Sequence, residues 1–221
     1  MNRKSLHAAF TLIELLVVIS IIALLAGIAM PVFGIAVMQG KMIAAMNKAK
    51  QIGTTLHIYA NDHGGIFPDA KNDYDEAITT SNDAFRGLLP AYLDTESIFV
   101  VPGSKAGATA DNRISSPAQI LERGENHWAY LAGLNSTSNS TWPLIVDHTD
   151  GSGSYSAKEN TLGGTWKGTK TIVVHVDSSA SIERLLGTGD KRYLPRTDEK
   201  TANALNPNYM GDGVRLLEPA Q

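Results

Sequence analysis

The run from Phe10 to Met30, FTLIELLVVISIIALLAGIAM, constrains everything that follows it in this chain. Glu14 is its one charged residue; a short basic leader precedes it and Pro31 closes it. A helix rising about 1.5 Å per residue spans roughly 30 Å of hydrocarbon with about twenty such residues, so the run reads as a membrane span. Arg3 and Lys4 lie before it and no basic residue follows until Lys41. That asymmetry predicts an amino end in the cytoplasm and the remainder of the chain on the far side. Two plainer readings compete. An export signal usually has an apolar core of about 7 to 15 residues and gains nothing from a carboxylate inside it, although Gly27-Ile28-Ala29 offers small residues for a cut. A simple anchor would let Glu14 snorkel to the headgroups.

The segment HAAFTLIELLVVISIIALLAG resembles the processing and methylation segment of type IV pilins and type II secretion pseudopilins. The resemblance implies cleavage by a membrane prepilin peptidase between Ala9 and Phe10, and methylation of the new amine on Phe10. It also places Glu14 at the family's buried glutamate, where subunits assemble, and Pro31 at its helix-kinking proline. Ala9 departs from the glycine usual before the cut, which bears on how efficiently the chain is processed. The implied partners are the prepilin peptidase and methyltransferase, other pilin-like subunits, an inner-membrane assembly platform and membrane lipid. The implied location is the inner membrane, crossed once, with the carboxy-terminal domain in the periplasm or on a filament.

Physical chemistry gives Glu14 a reason to exist. A carboxylate in hydrocarbon costs several kcal/mol unless it is paired. The cut would create a cation, the amine of Phe10, in the same membrane layer. Within one helix the two groups are awkwardly placed, whereas neighbouring subunits offset along an assembly axis bring them together.

Composition bounds the rest. About 190 of the 221 residues lie beyond the leader and span, enough for one domain with its own core. Net charge is −3, and losing Arg3 and Lys4 with the leader leaves 17 basic against 22 acidic residues, a net of −5 that argues against nucleic acid as a partner. With no cysteine there is no disulfide, thiolate nucleophile, thiolate zinc site or lipoprotein anchor.

Past Pro31, residues Ile35, Met38, Met42, Ala45, Ala49, Ile52, Leu56 and Tyr59 recur at spacings of three and four, the stripe of an amphipathic helix. Its distal half is expected to pack on a sheet of the same chain and its nearer half on neighbours. Gly34, Gly40 and Gly53 weaken it, suggesting bending or melting near the membrane exit. Asn61-Asp62-His63-Gly64-Gly65 ends it, and YANDHGGIFPD around that turn also resembles the pseudopilin pattern through Tyr59, Asp62, Gly64, Phe67 and Pro68. Residues 63–126 read as a variable connecting segment. It holds a short helix over Ala84 to Leu93, a capped turn at Asp94-Thr95-Glu96, an extended piece at Ile98 to Val101, a surface loop at Lys105 to Asn112 and a turn at Ser116-Pro117.

Strands are predicted at His127–Leu131, Leu144–Val146, Thr171–Val176, Ala180–Leu185 and Val214–Leu217, with a hairpin across Asp177-Ser178-Ser179. The tail beyond Gly187 is expected to be only partly ordered. The order implies an α+β, pilin-like fold: a long amino-terminal helix, membrane-spanning in its first half and amphipathic in its second, packed on a carboxy-terminal antiparallel sheet. The segments are leader 1–9, span 10–30, amphipathic helix 31–62, connecting segment 63–126 and sheet region 127–221.

Other chemistry is poorly signalled. Gly163 to Lys170 lacks the lysine position of a phosphate-binding loop. His127, His148 and His175 lack metal-ligand spacing, and no metal ligand or catalytic residue is assigned. Asp147, Asp150 and Asp177 leave calcium open as a cofactor, although Asp147 to Gly151 does not follow an EF-hand loop. Asn135-Ser136-Thr137 and Asn139-Ser140-Thr141 fit glycosylation sequons but read more simply as polar turns. The expected role is that of a filament subunit, not an enzyme. A type II secretion pseudopilin is preferred, a type IV pilus subunit comes second, and an anchored or secreted envelope module that binds a glycan or protein is the alternative of another class.

Overall fold

A computed structural model describes residues 11–221. The first helix, α1, runs from Leu12 to Asp62 without a break, through Pro31, Gly34, Gly40 and Gly53, so no melted turn interrupts it. The chain divides into two compact units, residues 1–43 and 44–221. Within the first, every side chain from Leu12 to Met30 is exposed. Leu, Ile and Val at this density, without a partner of their own, form the kind of surface that lipid or neighbouring helices cover.

In the second unit the helical stripe behaves as its spacing predicts: Ala45, Ala49, Ile52, Leu56 and Tyr59 are buried while Lys50, Gln51 and Thr54 stay out. Gly53 makes the close packing possible. A Cβ built on it would stand 2.6 Å from Cγ1 of Val174, closer than two carbons can approach. One turn further on, His57 Nε2–H donates to the Val176 carbonyl at 2.5 Å. Gly53 is therefore the contact point of helix on sheet, a more specific role than local weakening. The helix closes where the sequence indicates: Gly64 and Gly65 take positive φ, and the Gly65 amide reaches back to the Ala60 carbonyl at 2.7 Å. Phe67 is buried beneath the helix end against His57.

Five strands form one antiparallel sheet, and two more form a separate hairpin. In chain order they are β1 Trp128–Ala132, β2 Pro143–Asp147, β3 Lys170–His175, β4 Ala180–Arg184, β5 Leu186–Thr188, β6 Lys191–Tyr193 and β7 Arg215–Leu217. The sheet order is β4-β3-β2-β1-β7, with β5 paired to β6 alone. Every residue of β1 and β2 is buried, so both faces of the sheet centre are covered. The β3–β4 hairpin closes through Asp177, whose carboxylate accepts the Ser179 amide at 2.8 Å. All five strands predicted from β-branched residues are present, within one or two residues at each end.

The connecting segment differs in detail from the sequence expectation. Helix α2 is Ser81–Arg86, not Ala84 to Leu93, because Thr80 and Asp83 form a capping box that starts the helix earlier. Turns replace helix from Gly87 onward. Ile98 and Phe99 belong to a 3₁₀ turn, Glu96–Phe99, capped by Thr95, and not to an extended piece. The Lys105 to Asn112 loop is partly buried: Ala106 is packed inside, and a Cβ at Gly107 would collide with the backbone of Asn126. The tail is more structured than expected, contributing β6, a short helix α3 (Pro207–Met210) and β7 at the sheet edge.

Candidate functional site

The amino-terminal face of α1 is the candidate assembly site. Thr11 precedes the helix and Glu14 is its third residue. The Thr11 amide and hydroxyl donate to Glu14 Oε2 at 2.9 and 2.6 Å, and the Glu14 amide donates back to Thr11 Oγ1 at 3.3 Å. This is a reciprocal capping box, which satisfies amides that otherwise lack partners at a helix start. The signal is present in the sequence as T-x-x-E ahead of an apolar run, and it supplies a local role for Glu14 that a place in an apolar run does not suggest. Among the described residues only Oε2 is engaged, and Glu14 stands on an exposed helix surface. Ser20 is the next polar group, its hydroxyl turned back to the Leu16 carbonyl at 2.7 Å and so satisfied within the helix. Ala9 and Phe10, the positions expected to be cut and methylated, lie outside the described residues.

The carboxy-terminal unit holds a buried polar network. The carboxylate of Asp147 accepts four donors: His127 Nε2–H (2.6 Å), Trp166 Nε1–H (3.0 Å), the Thr171 hydroxyl (3.0 Å) and the Ile172 amide (2.6 Å). These donors, His127 foremost, hold its carboxyl below the usual range against a burial effect that acts in the opposite direction. The other nitrogen of His127 meets Ser104 Oγ at 2.6 Å. Serine, histidine and aspartate thus stand in line inside the core. Ser104 Oγ accepts the Ala106 and Gly107 amides at 3.1 and 3.2 Å and gives its proton to His127, so its hydrogen-bonding capacity is filled inside the core. The network pins β1, β2, β3 and two loops together.

His148 packs edge-on to His127, ring centroids 4.8 Å apart, with neither ring nitrogen partnered. Burial, aided by His127, pushes its pKa down to about 3. His175 lies elsewhere, its Nδ1–H on the Thr141 carbonyl at 2.9 Å, so two of the three histidines meet and the third does not. The three aspartates also go separate ways: Asp147 is enclosed as described, Asp150 accepts amides of its own turn at Ser152 and Ser154, and Asp177 holds the hairpin. Trp166, inside the loop that resembled a phosphate cradle, is a core residue. Asn135 and Asn139 each fold over the residue two positions on, forming Asx turns.

A surface cleft of about 290 Å³ opens beside β3 and the tail, lined by Trp142, His175, Asp177, Glu183, Arg196 and Tyr209. The Arg196 guanidinium sits 3.6 Å over the Tyr209 ring and is anchored by Asp198.

Residues 4–30 match the family described as the prokaryotic N-terminal methylation motif. The chain therefore carries the prepilin-type cleavage and methylation segment of type IV pilin-like proteins. No curated protein and no solved structure matches the chain. Beyond the motif, the fold has a pilin-like architecture: a long amino-terminal helix with an apolar half long enough to cross a membrane, followed by a five-stranded antiparallel sheet. A motif of this kind supports processing by prepilin peptidase and implies assembly with other pilin-like subunits.

Proposed function

We propose that this protein is a pseudopilin of a type II secretion filament, cut between Ala9 and Phe10, methylated on Phe10 and polymerised through α1 while its carboxy-terminal unit faces the periplasm. The observation that carries the reading is the exposed apolar helix headed by the Thr11–Glu14 box. One oxygen of Glu14 holds its own helix start; the second, which has no partner among the described residues, would meet the Phe10 amine of a neighbour. The carboxylate then fixes register between subunits, because a charge pair in hydrocarbon is stable only when the partners meet. Pro31 supplies the kink that lets packed helices adjust to one another. The mechanism is mechanical, with no substrate turned over. Preference for secretion over a pilus rests on the YANDHGGIFPD turn and on the absence of a cysteine pair that could staple a carboxy-terminal loop.

Intact mass and amino-terminal sequencing of the protein from its native membrane test the reading. The expected chain begins at Phe10 and carries about 14 Da from one methyl group. A start near Met30 would make the segment an export signal. A start at Met1 would make it an anchor and leave Ala9 as the reason for failed processing.

A further inference from the structure

Glu96, Asp111 and Glu125 come from three different turns of the connecting segment, and one carboxylate oxygen of each lies within 4.8 Å of those of the other two. Two of the three are inside the protein: Glu96 has no exposed surface and Glu125 retains 7 %. Backbone amides account for part of their capacity. Glu96 Oε1 accepts the Leu121 amide at 2.6 Å, and the two oxygens of Glu125 accept the Asp111 and Glu122 amides at 3.1 and 2.7 Å. Glu96 Oε2 is buried and has no partner. Asp111 stands at the exposed mouth, where its carboxylate meets the Arg113 amide (2.9 Å) and guanidinium (3.3 Å).

An unpartnered carboxylate oxygen inside a protein is among the least favourable groups a fold can carry, and a second buried carboxylate beside it compounds the cost. The arrangement is balanced only if something positive occupies it. Arg113 engages the outermost of the three. From this geometry we infer that Glu96, Asp111 and Glu125 bind a divalent cation, and that the cation is calcium. All the donors are carboxylate oxygens, with no imidazole or thiolate, which selects hard cations over zinc or copper. Calcium accepts irregular oxygen cages with Ca–O distances of about 2.3–2.6 Å, so oxygens on opposite sides of it stand almost 5 Å apart. Magnesium requires a tighter octahedron. Water at the open side, next to Asp111, completes the shell. The bound ion ties the 3₁₀ turn at Glu96 to the loop at Asp111 and to the turn leading into β1.

The alternative occupant is a proton shared between Glu96 and Glu125, and the two make opposite predictions. Full-length protein in detergent micelles, freed of metal with chelator, is melted with and without added calcium chloride, with magnesium chloride as control. Expected are an upward shift of the melting temperature by several degrees with calcium, a smaller one with magnesium, and one calcium per chain by titration calorimetry. Glu96→Gln and Asp111→Asn each abolish the shift. Asp111 is exposed, so Asp111→Asn should fold normally in chelator and lose only the calcium response, which keeps the test informative if Glu96→Gln misfolds. A melting temperature indifferent to calcium, with Glu96→Gln more stable than wild type at neutral pH, would establish the shared proton. Calcium stabilisation that survives Asp111→Asn would place the ion elsewhere; either result overturns the assignment.

Discussion

Glu14 does two things that one substitution can separate. Glutamine takes the third position of a capping box as well as glutamate does, so Glu14→Gln keeps the Thr11 contacts and removes the charge. If register between subunits depends on the carboxylate meeting a neighbour's amine, Glu14→Gln inserts and is cut at Phe10 like wild type, yet yields little filament in shear or crosslinking assays. Filament at wild-type levels would reduce Glu14 to a helix cap. His148 makes a second residue-scale prediction. Its folded pKa of about 3 lies below the ordinary 6.5, so on acidification the unfolded chain takes up a proton that the folded chain refuses. Its contribution is complete above pH 6.5 and is lost as pH falls towards 3, at up to about 1.4 kcal/mol per pH unit. His148→Leu should flatten denaturant-derived stability between pH 6 and 4, whatever its offset at pH 8. An unchanged slope would show that His148 is hydrated and titrates normally.

At the scale of elements, the contact between α1 and β3 sets propensity against packing. In a free helix Gly→Ala stabilises by up to about 1 kcal/mol. At position 53 the new methyl meets Val174, and overpacking of this kind costs about 1–3 kcal/mol. Gly53→Ala is therefore expected to lower the unfolding midpoint of full-length protein in micelles, and Val174→Ala in the same chain to recover part of the loss. A stabilising Gly53→Ala would mean that the helix rides higher on the sheet. The same elements show what the sequence made legible. Strands such as Thr171 to His175 announce themselves through consecutive β-branched residues, and the amphipathic stripe of α1 through its period. The apolar run AFRGLLPAYL masks the cap at Thr80 that starts α2, and the three-residue strands of the β5–β6 hairpin carry too little pattern to read. The Thr11–Glu14 box was readable but hidden behind the question of a charge in lipid. The carboxylate cluster was not readable at all, since residues 96, 111 and 125 meet only through the tertiary fold.

For the molecule as a whole, the absence of cysteine makes topology directly measurable. Asn160 is exposed on a loop of the carboxy-terminal unit, so Asn160→Cys gives a single reporter thiol. With the span oriented by Arg3 and Lys4, that thiol should react with an impermeant maleimide in intact spheroplasts as fast as after lysis. Labelling that requires lysis would reverse the orientation.

The residues from Arg215 onward act as a clasp. β7 pairs with β1, the Glu218 carbonyl takes the Ser81 amide at 3.0 Å, its carboxylate takes the Thr149 amide and hydroxyl, and the Ala220 amide donates to Asn82 at 3.0 Å. Strand edge, α2 and the loop after β2 are all fastened by this stretch. In the proposed topology, a chain delivered across the membrane from its amino end would hold its apolar helix in lipid long before these residues arrive. Under the proposed function this timing would check premature assembly: a subunit stalled during export would be inserted but unfinished, without the contacts that residues 215–220 close.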